Sequence, residues 1–321
     1  MKTYILKRLL HMIPLLIGIT FFSFLVISLA PGDYLTEMSQ NPQVTKETIE
    51  SLRVKFGLDQ PWYFQYGKWL WNAAHFDFGY SFANQVPVFS LIRVRMLNTL
   101  ILALSAALFA WGLSIPLGVI SAVRQNTWVD KSASFVAFIG LSIPEVFFAL
   151  LMVLFAAKTG WFPVGGMKSI DFEYLSYAGQ IVDLLHHLIL PTIVLGSISM
   201  AGRMRQMRAN LLDTLMQDYV QTARAKGLSE RIVIYKHALR NAINPLITLF
   251  GFTLARLLSG AFLVEIVMSW PGLGRLTLDA LFNRDLYLVM GSLLMASVML
   301  ILGNLAADIL LAVSDPRISY E

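Results

Sequence analysis

The chain has 321 residues, of which 56% are hydrophobic and only 14% are charged. A soluble protein of this size would carry about 25% charged residues, so an integral membrane protein is indicated. The net charge of +5 does not indicate nucleic-acid binding, because the basic residues adjoin apolar segments rather than one soluble face. The lack of cysteine excludes disulfides and thiolate metal sites. No ATP-binding loop, zinc-protease motif or serine-hydrolase motif occurs in the sequence, so neither an ATPase nor a hydrolase is predicted.

Six apolar blocks predict an all-α membrane protein with six transmembrane helices, since a helix needs about 20 residues to cross a bilayer. The blocks are 9–30, 97–122, 133–157, 188–206, 245–269 and 288–313. The first could be a signal peptide, but its apolar run exceeds the ~7–15 residues of such peptides. The fourth is the weakest candidate, because Pro191 and Gly196 interrupt it.

The distribution of basic residues predicts the orientation of the chain. Eight basic residues and three acidic ones lie at 203–244, from the end of the fourth block to the start of the fifth. Loops rich in Lys and Arg stay on the cytoplasmic side, so both termini are predicted to be cytoplasmic. The predicted regions are a cytoplasmic N-terminus with the first span (1–30), an external segment (31–93), a membrane domain (94–313) and a cytoplasmic tail (314–321).

The external segment is predicted to contain short helices. Thr45 to Phe56 has the pattern of one helix, and Pro61 fits the first position of another. The Trp and Tyr residues that follow are typical of a membrane–water interface.

The basic loop is predicted to hold a short helix, a stop and a restart. Four residues with helical spacing are predicted to share one face: Met216, Tyr219, Val220 and Ala223. Gly227 fits the position just after a helix end, and Ser229 can cap a second helix. A helix lying on lipid headgroups and a helix docked in a partner's groove both remain open on these grounds.

The segment 218–228, DYVQTARAKGL, resembles the cytoplasmic signature of binding-protein-dependent ABC importers, which is Glu-Ala-Ala, three residues and then Gly. Aligned on Gly227, it keeps Ala223 and the glycine but has Gln221 and Thr222 at the first two positions. Further collinear segments resemble the dipeptide, oligopeptide and nickel branch of this family: 5–33, FDFGYSF at 76–82, WPGLGR at 270–275 with NRD at 283–285, and DPRI at 315–318.

The resemblance implies a type I ABC importer fold and the first of two paired permease subunits. It implies three kinds of partner, namely a second permease, two cytoplasmic ATP-binding subunits and an external substrate-binding protein. ATP and Mg²⁺ would be bound by the ATPases, and this chain would bind no cofactor and be non-catalytic. The implied ATPase-coupling residues are Tyr219, Gln221, Thr222, Ala223, Arg224, Ala225, Lys226, Gly227 and Leu228.

Charged residues within apolar blocks are costly, at about 2.5–3.5 kcal/mol at mid-bilayer on insertion scales, and usually face a cavity or a partner. Glu145 and Arg256 are predicted at similar depth and could line a translocation path, or form a structural ion pair. Glu265 and Asp308 lie nearer to the membrane surfaces and could be solvated.

Adjacent His186 and His187 invite a metal interpretation, but neighbouring residues do not share a helix face. An interfacial pair is the preferred interpretation, and no metal site is predicted.

Di- and oligopeptides are the expected substrates, with nickel, glutathione or oligosaccharides as alternatives within the same architecture. An ion-gradient-driven secondary transporter would show repeated halves with broken spans, and no convincing internal repeat is present.

Overall fold

The computed structural model describes residues 2–29, 31–39 and 43–314. In these ranges the regular structure is helical and contains no β-strand beyond one isolated bridge, between Tyr80 and Pro87. The predicted all-α class is therefore confirmed. The DPRI segment at 315–318 and the rest of the predicted tail lie outside the described residues.

The α-helices follow the apolar blocks and the predicted stops between them. Their bounds are α1 Lys2–Leu29, α2 Tyr34–Met38, α3 Lys46–Phe56, α4 Trp62–Ala74, α5 Val88–Val123, α6 Trp128–Ser142, α7 Glu145–Thr159, α8 Tyr177–Leu215, α9 Asp218–Ala225, α10 Glu230–Ile232, α11 Leu239–Ala242, α12 Asn244–Val267, α13 Leu273–Phe282 and α14 Leu286–Ser314. A 3₁₀ turn at Phe172–Tyr174 and a π-helical turn at Val233–Ala238 complete them.

The described residues contain four segments long and apolar enough to cross a membrane, or five if one bent pair forms a single span. The four are Leu10–Thr36, Val88–Val123, Tyr177–Leu215 and Leu286–Ala306. The fifth predicted block is largely helical as α12, several of whose side chains lie outside the described residues. These observations establish a multi-pass membrane protein, and the count of six remains a prediction.

The third predicted span, 133–157, is not one straight helix. It divides into α6 and α7, which are bent by 105°. The break follows from Pro144, which lacks an amide hydrogen and disfavours helical backbone in the residue before it; Ile143 is indeed extended, at φ −83° and ψ 123°. In contrast, α8 continues through Pro191 and Gly196, the residues that made the fourth block look weakest.

The chain forms two compact units, of which the first comprises Met1–Thr99 and Pro271–Ile301. Its core includes Phe24 of α1, Tyr66 and Trp69 of α4, and Met290 of α14. The Tyr66 hydroxyl donates to the Ile17 carbonyl at 3.0 Å, which fixes α4 against α1.

The predicted short helices of this unit are present. The helix predicted from Thr45 to Phe56 is α3; it begins at Lys46, and the Thr45 side chain caps it by accepting from the Thr48 amide. Pro61 is the cap of α4 rather than its first helical residue, a correction of one position, because its ψ of 144° is extended.

The second unit comprises Leu100–Trp270 and Leu302–Glu321. In it, α8 packs against α6, α7 and α12, and α7 packs against α12. One apolar cluster is centred on residues of α5, α7, α8 and α12, such as Leu102, Ala149, Val194 and Ala261. A second includes Met207 and Leu211 of α8 together with buried residues of the basic loop.

Candidate partner-docking site

The predicted helix of the basic loop is present as α9, Asp218–Ala225. Gln217 occupies the cap position with extended backbone, and Asp218 places a carboxylate in the first turn, where the helix dipole favours it. The helix ends at Ala225, Lys226 is its C-terminal cap, and Gly227 follows in the left-handed conformation at φ +75°. The Gly227 amide donates to the Arg224 carbonyl at 2.9 Å. The predicted glycine stop is confirmed.

The buried face of α9 consists of Val220 and Ala223, whose exposed fractions are 0% and 6%. Both belong to the cluster that contains Met207 and Leu211 of α8. This contact seats α9 on the helix that precedes it in the chain.

Two residues predicted on that face are instead exposed, Met216 by 70% and Tyr219 by 42%. Met216 ends α8 and precedes the cap of α9, so helical spacing does not connect it to Val220. Tyr219 lies at the edge of the face, and its hydroxyl accepts a hydrogen bond from Asn241 Nδ2 at 2.9 Å. The four-residue face of the sequence prediction is therefore wrong in half of its members.

The opposite face of α9 is open to solvent. Its exposed residues are Gln221, Thr222, Ala225 and Lys226, and the exposure continues through Gly227 and Leu228. Most of these side chains are small or flexible, so a second molecule could approach the helix backbone closely. Ala223 points into the core and holds the helix in place rather than offering a contact.

Arg224 connects α9 to the chain that follows it. Its Nε and Nη2 atoms donate to the two carboxylate oxygens of Glu230, at 2.8 and 3.3 Å. Glu230 opens α10, after Ser229 in extended backbone; the Ser229 side chain, however, makes no capping hydrogen bond. Val233, Ala238 and Ala242 then enter the same buried cluster as Val220.

A buried ion pair beside this loop was missed by the sequence analysis. Arg208 of α8 donates from Nε and Nη2 to the two oxygens of Asp130 in α6, at 2.7 and 2.8 Å. The same carboxylate accepts hydrogen bonds from the Ser121 hydroxyl and the Asn126 amide. Asp130 is almost fully buried, so this network ties α5, α6 and α8 together a few turns before α9. The sequence feature that could have indicated this ion pair is the single acidic residue, Asp130, among the basic residues of 123–132.

The family-like motifs of the first unit meet around Asp285. This carboxylate is fully buried and accepts hydrogen bonds from the Ser81 hydroxyl at 2.6 Å and the Ala83 amide at 3.1 Å. Its other oxygen accepts from the Leu288 amide at 3.2 Å. The FDFGYSF and NRD segments are thus fastened to each other.

The charged residues of the apolar blocks have different surroundings from those expected. Glu145 is half-buried and is the first residue of α7, directly after the break at Pro144. The Arg256 side chain lies outside the described residues, so its relation to Glu145 stays a prediction. Glu265 and Asp308 are 0% and 8% exposed, and the expectation that both are solvated is wrong; α12 turns Glu265 inward beside Val264, a core residue.

The two histidines have separate contacts. His186 Nε2 lies 2.8 Å from the Trp161 carbonyl, and His187 Nδ1 lies 2.9 Å from the Asp183 carbonyl and 3.5 Å from its carboxylate. In the described part of the chain, no three His, Cys, Asp or Glu side chains are grouped as a metal site.

The several helices that are long and apolar enough to cross a membrane define a multi-pass membrane protein, and α9 is a short helix with one buried and one exposed face. Comparison with known proteins then identifies its family. The family model described as "binding-protein-dependent transport system inner membrane component" matches residues 114–320, and the model of its N-terminal region matches residues 1–103. The chain belongs to this family of ABC importer permeases.

Relatives extend along the whole chain. The oligopeptide transport system permease protein AppB of Bacillus subtilis (strain 168) is 44% identical over 322 residues, and the alignment covers all of both chains. The dipeptide transport system permease protein DppB of Escherichia coli (strain K12) is 37% identical over 339 residues, again with complete coverage.

A solved structure of the MetNI methionine ABC transporter in an inward-facing conformation contains a chain of similar fold. Its TM-score is 0.54 at 17% identity, over 71% of this chain and 97% of that one. At this identity the likeness concerns the fold alone, and it supports the type I ABC importer architecture.

Proposed function

We propose that this chain forms half of the translocation path of an ATP-driven importer of di- and oligopeptides. The names of the full-length relatives, an oligopeptide and a dipeptide permease, support the substrate class. A second permease subunit completes the path, an external binding protein delivers the peptide, and two ATP-binding subunits hydrolyse ATP. In this assembly the chain itself is non-catalytic and binds no cofactor.

The role of α9 is that of the coupling helix, which receives the movement of the ATPase subunits. The proposal rests on the different burial of the two faces of α9. Val220 and Ala223 are buried in the chain's own core. Gln221, Thr222 and Ala225, on the other face, are exposed to solvent. Because α9 packs tightly on α8, a displacement of its exposed face by an ATPase subunit would also move α8. The bidentate pair between Arg224 and Glu230 stiffens the connection on the other side.

The proposed topology has six spans, with both termini in the cytoplasm. It keeps the region boundaries of the sequence analysis, with 31–93 outside and the coupling loop 203–244 inside. The charge of that loop supports this orientation.

Glu145 is proposed to line the path, with Arg256 as its expected counterpart across the same depth. Its place at the bend between α6 and α7 supports a role in the path, because broken helices in membranes occur where they line a cavity or are covered by protein. Arg256→Gln separates the alternatives, since lower uptake at unchanged thermal stability fits a path residue and the reverse result fits a structural ion pair.

The substrate class is tested by uptake into proteoliposomes that contain this chain, its partner permease, both ATPases and the cognate binding protein. We expect ATP-dependent accumulation of labelled di- and oligopeptides. Accumulation of Ni²⁺, glutathione or an oligosaccharide with no response to peptides would overturn the peptide assignment and leave the importer architecture in place.

The coupling role is tested at Gly227, with Gly160 as a matched control. Both glycines have left-handed backbone, at φ +75° and +65°, and a Cβ atom would meet no neighbour within 4 Å at either. Asn tolerates this conformation better than most other residues, so Gly227→Asn and Gly160→Asn should fold alike. We expect substrate-stimulated ATP hydrolysis to fall about ten-fold in the first variant, equivalent to about 1.4 kcal/mol of weakened contact, and to stay unchanged in the second. Equal ATPase rates in both variants would refute the coupling role.

A further inference from the structure

A cavity of about 600 Å³ lies in the first unit, at the C-terminal end of α1. Part of its wall is apolar and comes from the ends of membrane helices, through Val26 and Ile27 of α1 and Leu286 and Val289 of α14. Trp62 of α4 closes one side and is 43% exposed. Trp62 is the first residue of the amphipathic helix α4, and exposed tryptophan of this kind is typical of the membrane interface.

The other part of the wall is polar and carries two guanidinium groups against one carboxylate. Arg53 Nη2 lies 2.9 Å from Asp33 Oδ2. The other oxygen of Asp33 accepts a hydrogen bond from the Thr36 amide at 2.7 Å. This carboxylate is therefore already engaged by Arg53 and by its own helix start, and it does not neutralise the second guanidinium.

The second guanidinium belongs to Arg284, whose backbone amide donates to the Leu281 carbonyl but whose side chain makes no hydrogen bond or ion pair within the described residues. Its backbone is left-handed at φ +50°, a conformation that costs about 1–3 kcal/mol for residues other than glycine. Gly32 leaves room for the side chain, since a Cβ atom there would lie 2.4 Å from Arg284 Nη1. Among the described residues, the Arg284 guanidinium at the cavity thus has no ion-pair partner, and it is held there despite a backbone penalty.

We propose that this cavity binds an anionic phospholipid. The Arg284 guanidinium, with Arg53 beside it, donates to the headgroup phosphate, whose oxygens match the guanidinium fork. An acyl chain lies along Val26, Ile27, Leu286 and Val289. A free phosphate would use only the cationic end, whereas a phospholipid uses both the charge and the apolar wall of a cavity at the bilayer interface.

The test is native mass spectrometry of the detergent-solubilised transporter complex, titrated with phosphatidylglycerol or phosphatidylcholine. Arg284→Gln removes the charge inside the cavity, and Lys46→Gln removes the same charge from the exposed start of α3, outside it. We expect phosphatidylglycerol bound per complex to fall roughly ten-fold in Arg284→Gln, as for the loss of one hydrogen bond to a charged group. Lys46→Gln should retain the wild-type amount, and phosphatidylcholine should bind weakly to all three proteins.

Three results would overturn the proposal: undiminished phosphatidylglycerol in Arg284→Gln, equal retention of phosphatidylcholine, or displacement of the bound lipid by inorganic phosphate alone. Size-exclusion elution as an intact complex checks that Arg284→Gln assembles. If the Arg284→Gln complex does not assemble, Arg284→Lys replaces it in the test, because lysine keeps the charge but lacks the planar guanidinium. The proposal then requires that Arg284→Lys binds less phosphatidylglycerol than the wild type. The assay uses neither peptide nor ATP, so its outcome is independent of the proposed transport function.

Discussion

At the residue scale, two buried carboxylates fasten segments that are distant in sequence. Asp130 and Arg208 are 78 positions apart, and Ser81 and Asp285 are 204 positions apart. Each carboxylate accepts several hydrogen bonds, which a buried charge requires if it is not to destabilise the fold. Neither contact has a local sequence pattern, because a hydrogen bond between distant residues depends on the packing of whole helices. This is why both were absent from the sequence prediction, although the motifs that contain Ser81 and Asp285 were recognised.

Asp130→Asn should destabilise the second unit by about 1–3 kcal/mol, the cost of unsatisfied buried polar groups. The amide nitrogen of Asn would face hydrogen-bond donors, namely Arg208, the Ser121 hydroxyl or the Asn126 amide. Thermal unfolding of the purified complex measures the change, with Asp171→Asn at an exposed position as the control. Identical unfolding midpoints for the two variants would show that the network contributes nothing to stability.

Asp285→Ala should release the FDFGYSF segment. The Ala83 amide and the Ser81 hydroxyl lose their acceptor, and local opening then becomes easier. We expect hydrogen exchange at Ala83 to accelerate about ten-fold for each ~1.4 kcal/mol of lost stabilisation. The exposed Asp279→Ala is the control, and equal exchange rates in the two variants would contradict the fastening role.

At the element scale, the sequence predicted the helices and where they end better than it predicted which helices bend and which of their faces are buried. The apolar runs and Gly227 encode α5, α8, α9 and α14 locally, so their existence could be read from the sequence. Pro144 bends the third span while Pro191 leaves α8 continuous, because the tertiary packing of a proline decides whether a helix breaks. For α9, periodicity identified Val220 and Ala223 correctly, but it could not show that Met216 belongs to the preceding helix.

The packing of α9 against α8 depends on the burial of Val220. Val220→Ala should cost about 2 kcal/mol through lost apolar burial and the space left behind, and α9 should detach more often. Thr222→Ala, on the open face, should cost little. Limited trypsin digestion at Arg224 and Lys226 reports the detachment, and we expect faster cleavage only in Val220→Ala. Equal cleavage in both variants would mean that Val220 does not hold the helix.

At the scale of the whole molecule, the proposed orientation of the chain in the membrane rests on the charge of the basic loop. The eight basic residues at 203–244 favour a cytoplasmic position for this loop, and the chain shares its fold with a chain of the MetNI transporter over 71% of its length. The span count depends on whether α6 and α7 form one bent span and on α12, which composition alone could not decide.

Because the chain contains no cysteine, single cysteines report orientation without background. We expect Lys226→Cys to react with a membrane-impermeant maleimide only after the membrane of spheroplasts is permeabilised, and Lys46→Cys to react in intact spheroplasts. The opposite pattern would reverse the proposed topology.

We propose that the open face of α9 contacts the ATPase subunits. Its most direct test is cross-linking from single cysteines in the assembled complex, at Ala225 on the open face and at Ala223, two residues away and buried. We expect a short thiol-directed photo-cross-linker at Ala225→Cys to capture an ATPase subunit and the same reagent at Ala223→Cys to capture none. If the cross-linker at Ala225→Cys captured no ATPase subunit in an intact, ATP-hydrolysing complex, the contact between α9 and the ATPase subunits would be contradicted.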